Sequence, residues 1–322
     1  MTAEVTVLGA GVAGLCVAHE LAARGAAVRL LDPAGGPGPE GCSWWAGGML
    51  APFCEGETAE EPVVRLGAGA ADWWRAAGAA VTAAGTLVVA LGRDRGELDR
   101  FARRTRGHRR VTGGALAELE PDLAGRVPAA LHVADEAQLD PRAALATLRD
   151  GLAARGVRVA TEGTPRGTVI DCRGLAARDR LPGLRGVRGE MAVLRAPDIA
   201  LRRTVRLLHP RHPLYLVPRG DGVYMLGATQ IESAGRGPAT LRSVAELLNA
   251  AYALHPAFAE AEVLEIGADA RPAFPDNLPR IVREDDRIHV NGLFRHGFLL
   301  APALARMVAA LVLDGEHPEL LQ

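Results

Sequence analysis

Lysine is absent from the sequence. All 37 strong cations are arginine, set against 38 Asp and Glu in 322 residues. That absence excludes chemistry. A pyridoxal-phosphate enzyme and a lysine-dependent aldolase both need a Schiff-base lysine. A P-loop NTPase needs the lysine of its phosphate loop, and a protein kinase needs the one on its third strand. The formal net charge of -1 lacks the basic excess of a general nucleic-acid binder. Aromatics make up only 4% of the chain, so the core must rest on Ala, Leu and Val. The four cysteines, Cys16, Cys42, Cys54 and Cys172, form no CxxC pair. Zinc ligation and a disulfide scaffold are therefore not expected, and buried thiols in a reducing cytoplasm are. Met1 leads almost directly into a strand, with no room for a signal peptide. The apolar stretch over 298–313 is short for a membrane span and carries Pro302 and Arg306. It reads as a buried helix.

Periodicity supplies the elements. A β-branched run over 4–8 stops at Gly9. Apolar residues recur at helical spacing over 12–24, and a second strand over 28–31 ends at Asp32. Strand, glycine turn, helix and strand make a βαβ unit. The pattern then predicts a helix over 62–84 carrying Trp73 and Trp74, a strand over 85–91 and a charged helix over 93–104. Asp140-Pro141 is an N-cap and first-turn pair for a helix running to Arg155. Strands are expected over 157–160, 168–171, 186–194, 204–208, 214–218, 223–228 and 287–291, and helices over 241–254 and 303–313. βαβ pieces at both ends and in the middle surround an antiparallel block. The fold class is α/β of the two-domain α+β kind: a Rossmann-like nucleotide-binding domain built from discontinuous segments, with an antiparallel-sheet domain inserted.

Gly9-Ala10-Gly11-Val12-Ala13-Gly14 is the dinucleotide fingerprint GxGxxG. Gly9 permits the tight turn, Gly11 lets the backbone approach a pyrophosphate, and Gly14 lets helix and strand pack closely. The helix N-terminus supplies free N–H groups and the positive end of a dipole. Asp32 can accept hydrogen bonds from both ribose hydroxyls and would repel a 2′-phosphate. This motif does not separate FAD from NAD.

Four further segments narrow the choice. They are Gly41-Cys42-Ser43-Trp44-Trp45-Ala46-Gly47-Gly48-Met49-Leu50-Ala51-Pro52; Tyr215-Leu216-Val217-Pro218-Arg219 with Gly227-Ala228-Thr229; Arg271-Pro272 with Asp276-Asn277-Leu278-Pro279; and Gly292-Leu293-Phe294-Arg295-His296-Gly297-Phe298-Leu299-Leu300-Ala301-Pro302. In this order they resemble the D-amino-acid-oxidase family of flavoproteins, most closely its glycine-oxidising branch in thiamine thiazole synthesis. The resemblance covers most of the chain and implies FAD. It divides the chain into an FAD-binding domain (1–84, 138–185 and 265–322) and a substrate-binding domain (85–137 and 186–264). It places Ala46, Gly47, Gly48, Met49 and Leu50 against the isoalloxazine ring. Arg295, His296, Gly297, Phe298 and Leu299 then lie on its other side, opening the last helix.

The resemblance also implies the chemistry. Arg271 matches the arginine that holds the substrate carboxylate as a two-pronged fork. Tyr215 matches the tyrosine that hydrogen-bonds the same group, and Arg295 matches a second arginine near the site. The implied reaction is hydride transfer from a small amino acid to flavin N5, with oxygen as electron acceptor; the alternatives are a D-amino-acid dehydrogenase or sarcosine-type oxidase using another acceptor, or a flavin-binding protein without turnover. The oxidase reaction gives an imine or glyoxylate, ammonia and hydrogen peroxide. Orientation matters more here than acid–base groups. The implied partners are the amino acid and oxygen, a homo-oligomeric assembly, and a thiazole synthase that receives the imine. No nucleic acid or membrane is implied. His209, His212 and His296 are expected in structural or solvent roles, and Trp44 and Trp45 in core packing. Pro213 and Gln230 depart from the His and Met of the glycine-oxidising branch on the pocket wall, which bears on substrate range. The stretch over 157–171 is short beside the expected adenine site.

Overall fold

The computed structural model of the chain describes residues 2–209, 213–285 and 287–322. The βαβ unit is β1 (Glu4–Leu8), α1 (Val12–Ala23) and β2 (Ala27–Leu31). Val5, Thr6 and Val7 are fully buried, the continuous burial required of a parallel strand covered on both faces. β1 pairs in parallel with β2 on one side and with Thr168–Asp171 on the other. Arg287–Asn291 continues the parallel ladder, and Arg280–Glu284 ends it antiparallel. Val159–Ala160 lies beyond β2, completing six strands. The chain leaves β1 toward one side of the sheet, through β2 and Val159–Ala160, and then crosses to the other side at Thr168–Asp171. The carboxyl end of β1 is therefore a topological switch point, where such sheets open a crevice.

α1 packs against the closing helix Gly297–Asp314 and against Pro141–Ala154. The Asp140 carboxylate caps the latter helix, accepting from the Ala143 N–H at 2.9 Å. The closing helix is long and apolar enough, by composition, to cross a membrane. Here Leu300, Leu304, Ala305, Val308 and Ala309 are fully buried, so it serves as a core helix.

A second sheet has nine strands. Thr86–Ala90 runs parallel beside Thr204–Leu208, and antiparallel neighbours include Leu214–Gly220, Val223–Gly227 and Arg185–Arg195. Met49–Leu50, Ala137–Leu139 and Val81–Thr82 form a small third sheet at the junction.

Several expectations need correction. The helix over 62–84 is two helices, Glu61–Gly67 and Ala70–Ala76, followed by the strand Val81–Thr82. The intervening Gly67-Ala68-Gly69 is too glycine-rich to continue a helix at low cost. The closing helix begins at Gly297, six residues before the expected start at 303, with Pro302 inside it. Proline has no N–H to give to the carbonyl four residues back. That carbonyl, of Phe298, accepts instead from the Trp74 indole at 2.8 Å. The sequence pattern also missed the twelve-residue strand Glu262–Ala273, which pairs with Arg185–Arg195 in the nine-stranded sheet. The expected domain boundary at 265 falls inside it.

Candidate active site

A cavity of about 1050 Å³ opens at the switch point and runs to the nine-stranded sheet. Gly9 turns the chain at its mouth with φ +93°. A Cβ there would meet the Cys172 carbonyl oxygen at 2.7 Å. Gly11 is extended, and a Cβ there would approach the Ser43 hydroxyl at 3.3 Å. The Val12 N–H, at the start of α1, donates to Ser43 Oγ at 3.1 Å. Asp32 accepts from the Ala10 N–H at 2.6 Å and the Ala34 N–H at 2.9 Å. Its carboxylate is thus oriented and keeps further lone pairs. Gly9, Gly11, Val12, Ala13 and Asp32 all line the cavity. Gly14 does not; it is the contact point of α1, where a Cβ would run into the Gly9 carbonyl. A helix N-terminus facing the cavity, a fixed carboxylate and a Cβ-free turn suit a dinucleotide, so this donor set fits FAD.

The next loop crosses the cavity. Ala46, Gly47, Gly48 and Met49 line it. Leu50 does not: its side chain lies in the core, 2% exposed. Arg219 pins the loop, its Nη2 donating to the Gly47 carbonyl at 2.8 Å and its Nη1 to the Leu139 carbonyl at 3.0 Å. Gly47 also makes room for Tyr215. A Cβ on Gly47 would lie 2.8 Å from Cε2 of the ring, and one on Gly227 would lie 2.5 Å from Cζ and Oη at the same end of the side chain. Tyr215 and Gly227 are register partners on neighbouring strands, so two glycines define a slot for one phenol. Burial raises the Tyr215 pKa, and the Arg271 charge opposes this. Trp44 and Trp45 are half-buried cavity residues, not core, with the Arg142 guanidinium 4.4 Å and 5.4 Å from their ring centroids.

Arg271 stands on the strand Glu262–Ala273 and reaches over Gly189, where any side chain would collide with the guanidinium. Its Nη1 donates to the Thr229 carbonyl at 3.3 Å. It has no carboxylate partner among the described residues. Tyr215 Oη likewise makes no hydrogen bond among them. The cavity therefore holds an uncompensated guanidinium and an available phenol.

Arg295 differs. It lines the cavity, but its Nη2 pairs with Glu55 Oε2 at 2.7 Å and donates to Thr58 Oγ1 at 2.6 Å. Glu55 also takes Arg206 Nη2 on Oε1 at 2.8 Å and contacts His296 Nε2 at 3.0 Å. Burial alone would raise the Glu55 pKa; Arg295 and Arg206 together with the His296 hydrogen bond hold it well below the usual carboxylate range. The sequence reading missed Glu55, Arg206, Arg219 and Ser43. A usable signal existed for Arg206: a lone charge inside the apolar strand Thr204–Leu208. His296 is buried against Glu55, and His209 lines the cavity. His212 lies outside the described residues. Gly297, Phe298 and Leu299 line the cavity where the closing helix begins.

Several known proteins are similar to this chain over nearly all of its length. A Rhizobium etli protein named as a thiamine biosynthesis oxidoreductase, ThiO, is 57% identical over 98% of this chain and 98% of its own length. A bifunctional ThiO/ThiG protein of Trichormus variabilis is 24% identical over all of this chain and 54% of its own length. The crystal structure of a glycine oxidase from Geobacillus kaustophilus superposes with a TM-score of 0.82 at 22% identity, covering 99% of this chain and 97% of that one; at that identity the likeness is one of fold. The DAO family model, FAD dependent oxidoreductase, matches residues 4–311, and the chain belongs to this family of FAD-dependent oxidoreductases.

Proposed function

We propose that this oxidoreductase oxidises glycine and other small primary or secondary amino acids, taking glycine, water and oxygen to glyoxylate, ammonia and hydrogen peroxide. One observation carries the reading: Arg271 and Tyr215 share the cavity, and neither has an acidic partner among the described residues. Such a pair is complementary to one carboxylate. Arg271 binds both oxygens and Tyr215 donates its phenolic hydrogen. The substrate Cα is thereby oriented toward the loop Ala46 to Met49. FAD, when bound, accepts the hydride and passes the electrons to oxygen. Gly9, Gly11, Val12, Ala13 and Asp32 hold its dinucleotide part, Gly14 seats the helix, and Leu50 supports the loop from the core side. Arg295, His296, Gly297, Phe298 and Leu299 form the opposite wall of the ring site. No free carboxylate base is needed, and Glu55 is committed to Arg206 and Arg295.

The ThiO and ThiO/ThiG names of the relatives support a place in thiamine thiazole synthesis, with the imine handed to a thiazole synthase. We assign the enzyme to the cytoplasm and to a homo-oligomer. The cofactor half comprises 1–84, 138–185 and the chain after the strand Glu262–Ala273; 85–137 and 186–264, with that strand, form the substrate half. The test is anaerobic titration of the purified flavoprotein with glycine, sarcosine and D-proline, followed by air. Bleaching and stoichiometric peroxide are expected. Bleaching without peroxide on aeration would make it a dehydrogenase, and no bleaching with any of the three would defeat the proposal.

A further inference from the structure

Glu55 is shared by two arginines. Oε1 takes Arg206 and Oε2 takes Arg295, from the strand Thr204–Leu208 and the entry to the closing helix respectively. Glu136 also acts on Arg206, but burial pushes its carboxyl up, so one committed negative charge against two positive ones leaves a cationic excess at the cavity wall. Arg206 Nη1 is buried with no hydrogen-bond partner among the described residues, so the guanidinium is only partly satisfied. Its position matters as well. Arg206 is the register partner of Tyr215. Side chains directly opposite in an antiparallel pair share a face, with Cβ atoms ~4.5–5.5 Å apart. Arg206 thus stands one strand from the phenol assigned to the substrate carboxylate, in the same cavity.

We propose that Glu55 is a specificity-determining residue: by pairing with Arg206 and Arg295 it withholds both from anionic ligands, leaving Arg271 and Tyr215 as a clamp for a single carboxylate. The inference rests on the clamp reading above. Without the Glu55 charge, Arg206 becomes a second anion site beside Tyr215, and the cavity accepts dicarboxylates.

The experiment measures acetate and malonate affinities of the flavin-loaded enzyme by calorimetry. Native enzyme is expected to bind malonate no more tightly than acetate. Glu55→Gln, which keeps the shape and removes the charge, should tighten malonate at least tenfold while acetate moves less than threefold. Glu55→Asp should restore the native ratio. Glu55→Met tests the same idea if Glu55→Gln does not fold: with the charge gone and a side chain of similar length kept, malonate should again tighten at least tenfold relative to acetate. An unchanged malonate-to-acetate ratio in whichever of these two variants folds overturns the proposal. Arg271→Leu separates the two readings. If it leaves acetate affinity in the native background unchanged, the clamp itself is misplaced; if it abolishes acetate binding while the ratio in Glu55→Gln stays native, the clamp holds and the role of Glu55 does not.

Discussion

Arg271 and Arg295 are the same residue type in the same cavity, yet their surroundings give them different work. Arg295 is neutralised by Glu55, whereas Arg271 is left to a carbonyl 3.3 Å away. A charge-assisted hydrogen bond contributes ~1.5–3 kcal/mol. Arg271→Ala should therefore raise the KM for glycine about 10–150-fold with flavin content unchanged; steady-state kinetics alongside the flavin absorbance ratio decides it. Gly227 acts through its neighbour. Gly227→Ala pushes a methyl into the Tyr215 ring and should raise KM more than kcat falls, in the direction of Tyr215→Phe. Native kinetics in Gly227→Ala would show that the slot has slack. Motif position singled out Arg271 and Tyr215 in the sequence, and both line the cavity. Glu55 and Arg206 were not legible there, because their meaning lies in a pairing across 151 positions of chain, which no local spacing records.

At the scale of elements, legibility followed hydrophobic period. β1, α1 and β2 could be read because their apolar spacing and glycine punctuation agree. Gly14 is where that agreement becomes steric. Gly14→Ala drives a methyl into the Gly9 carbonyl, and overpacking of this kind costs ~1–3 kcal/mol. The purified variant should have a lower melting temperature and a reduced flavin stoichiometry; full flavin content would mean that α1 can shift without disturbing the turn. The strand Glu262–Ala273 escaped notice for a physical reason. Val263, Leu264 and Ile266 are exposed while its second half is buried, so no single alternation runs its length. The closing helix was misread at its start because Pro302 signals a break. The Trp74 indole repairs the missing bond from outside the helix, and that partner is 224 residues away.

Over the whole molecule, buried carboxyls set opposing pH limbs. Burial pushes the Glu136 carboxyl up, despite the Cys54 N–H donating to its Oε1 at 2.7 Å. A carboxyl raised in the folded state gives its full contribution below its unfolded pKa of ~4.3, and that contribution is lost as pH rises through the folded value. Glu136→Gln should then melt close to native at pH 4 and progressively above native toward pH 8. A difference that does not change with pH would show that the gain has another source. Glu55 has the opposite sign: its lowered pKa stabilises above the unfolded value and the benefit is lost as acid protonates it. The two-sheet architecture could be inferred from the order of strands and helices, but these charges could not, since burial depth is a property of the assembled sheets.

The phenol of Tyr215 is gripped between Gly47 on the loop and Gly227 on the sheet, and Arg219 ties that loop to the same strand. Whatever orders the loop orders the ring, and the reverse. Occupancy of the two halves of the cavity is then linked, and linkage is reciprocal. A bound carboxylate would tighten the cofactor by the same free energy with which the cofactor tightens the carboxylate. The cofactor-free chain should accordingly bind amino acids more weakly than the flavin-loaded one, and substrate should raise the affinity for the flavin.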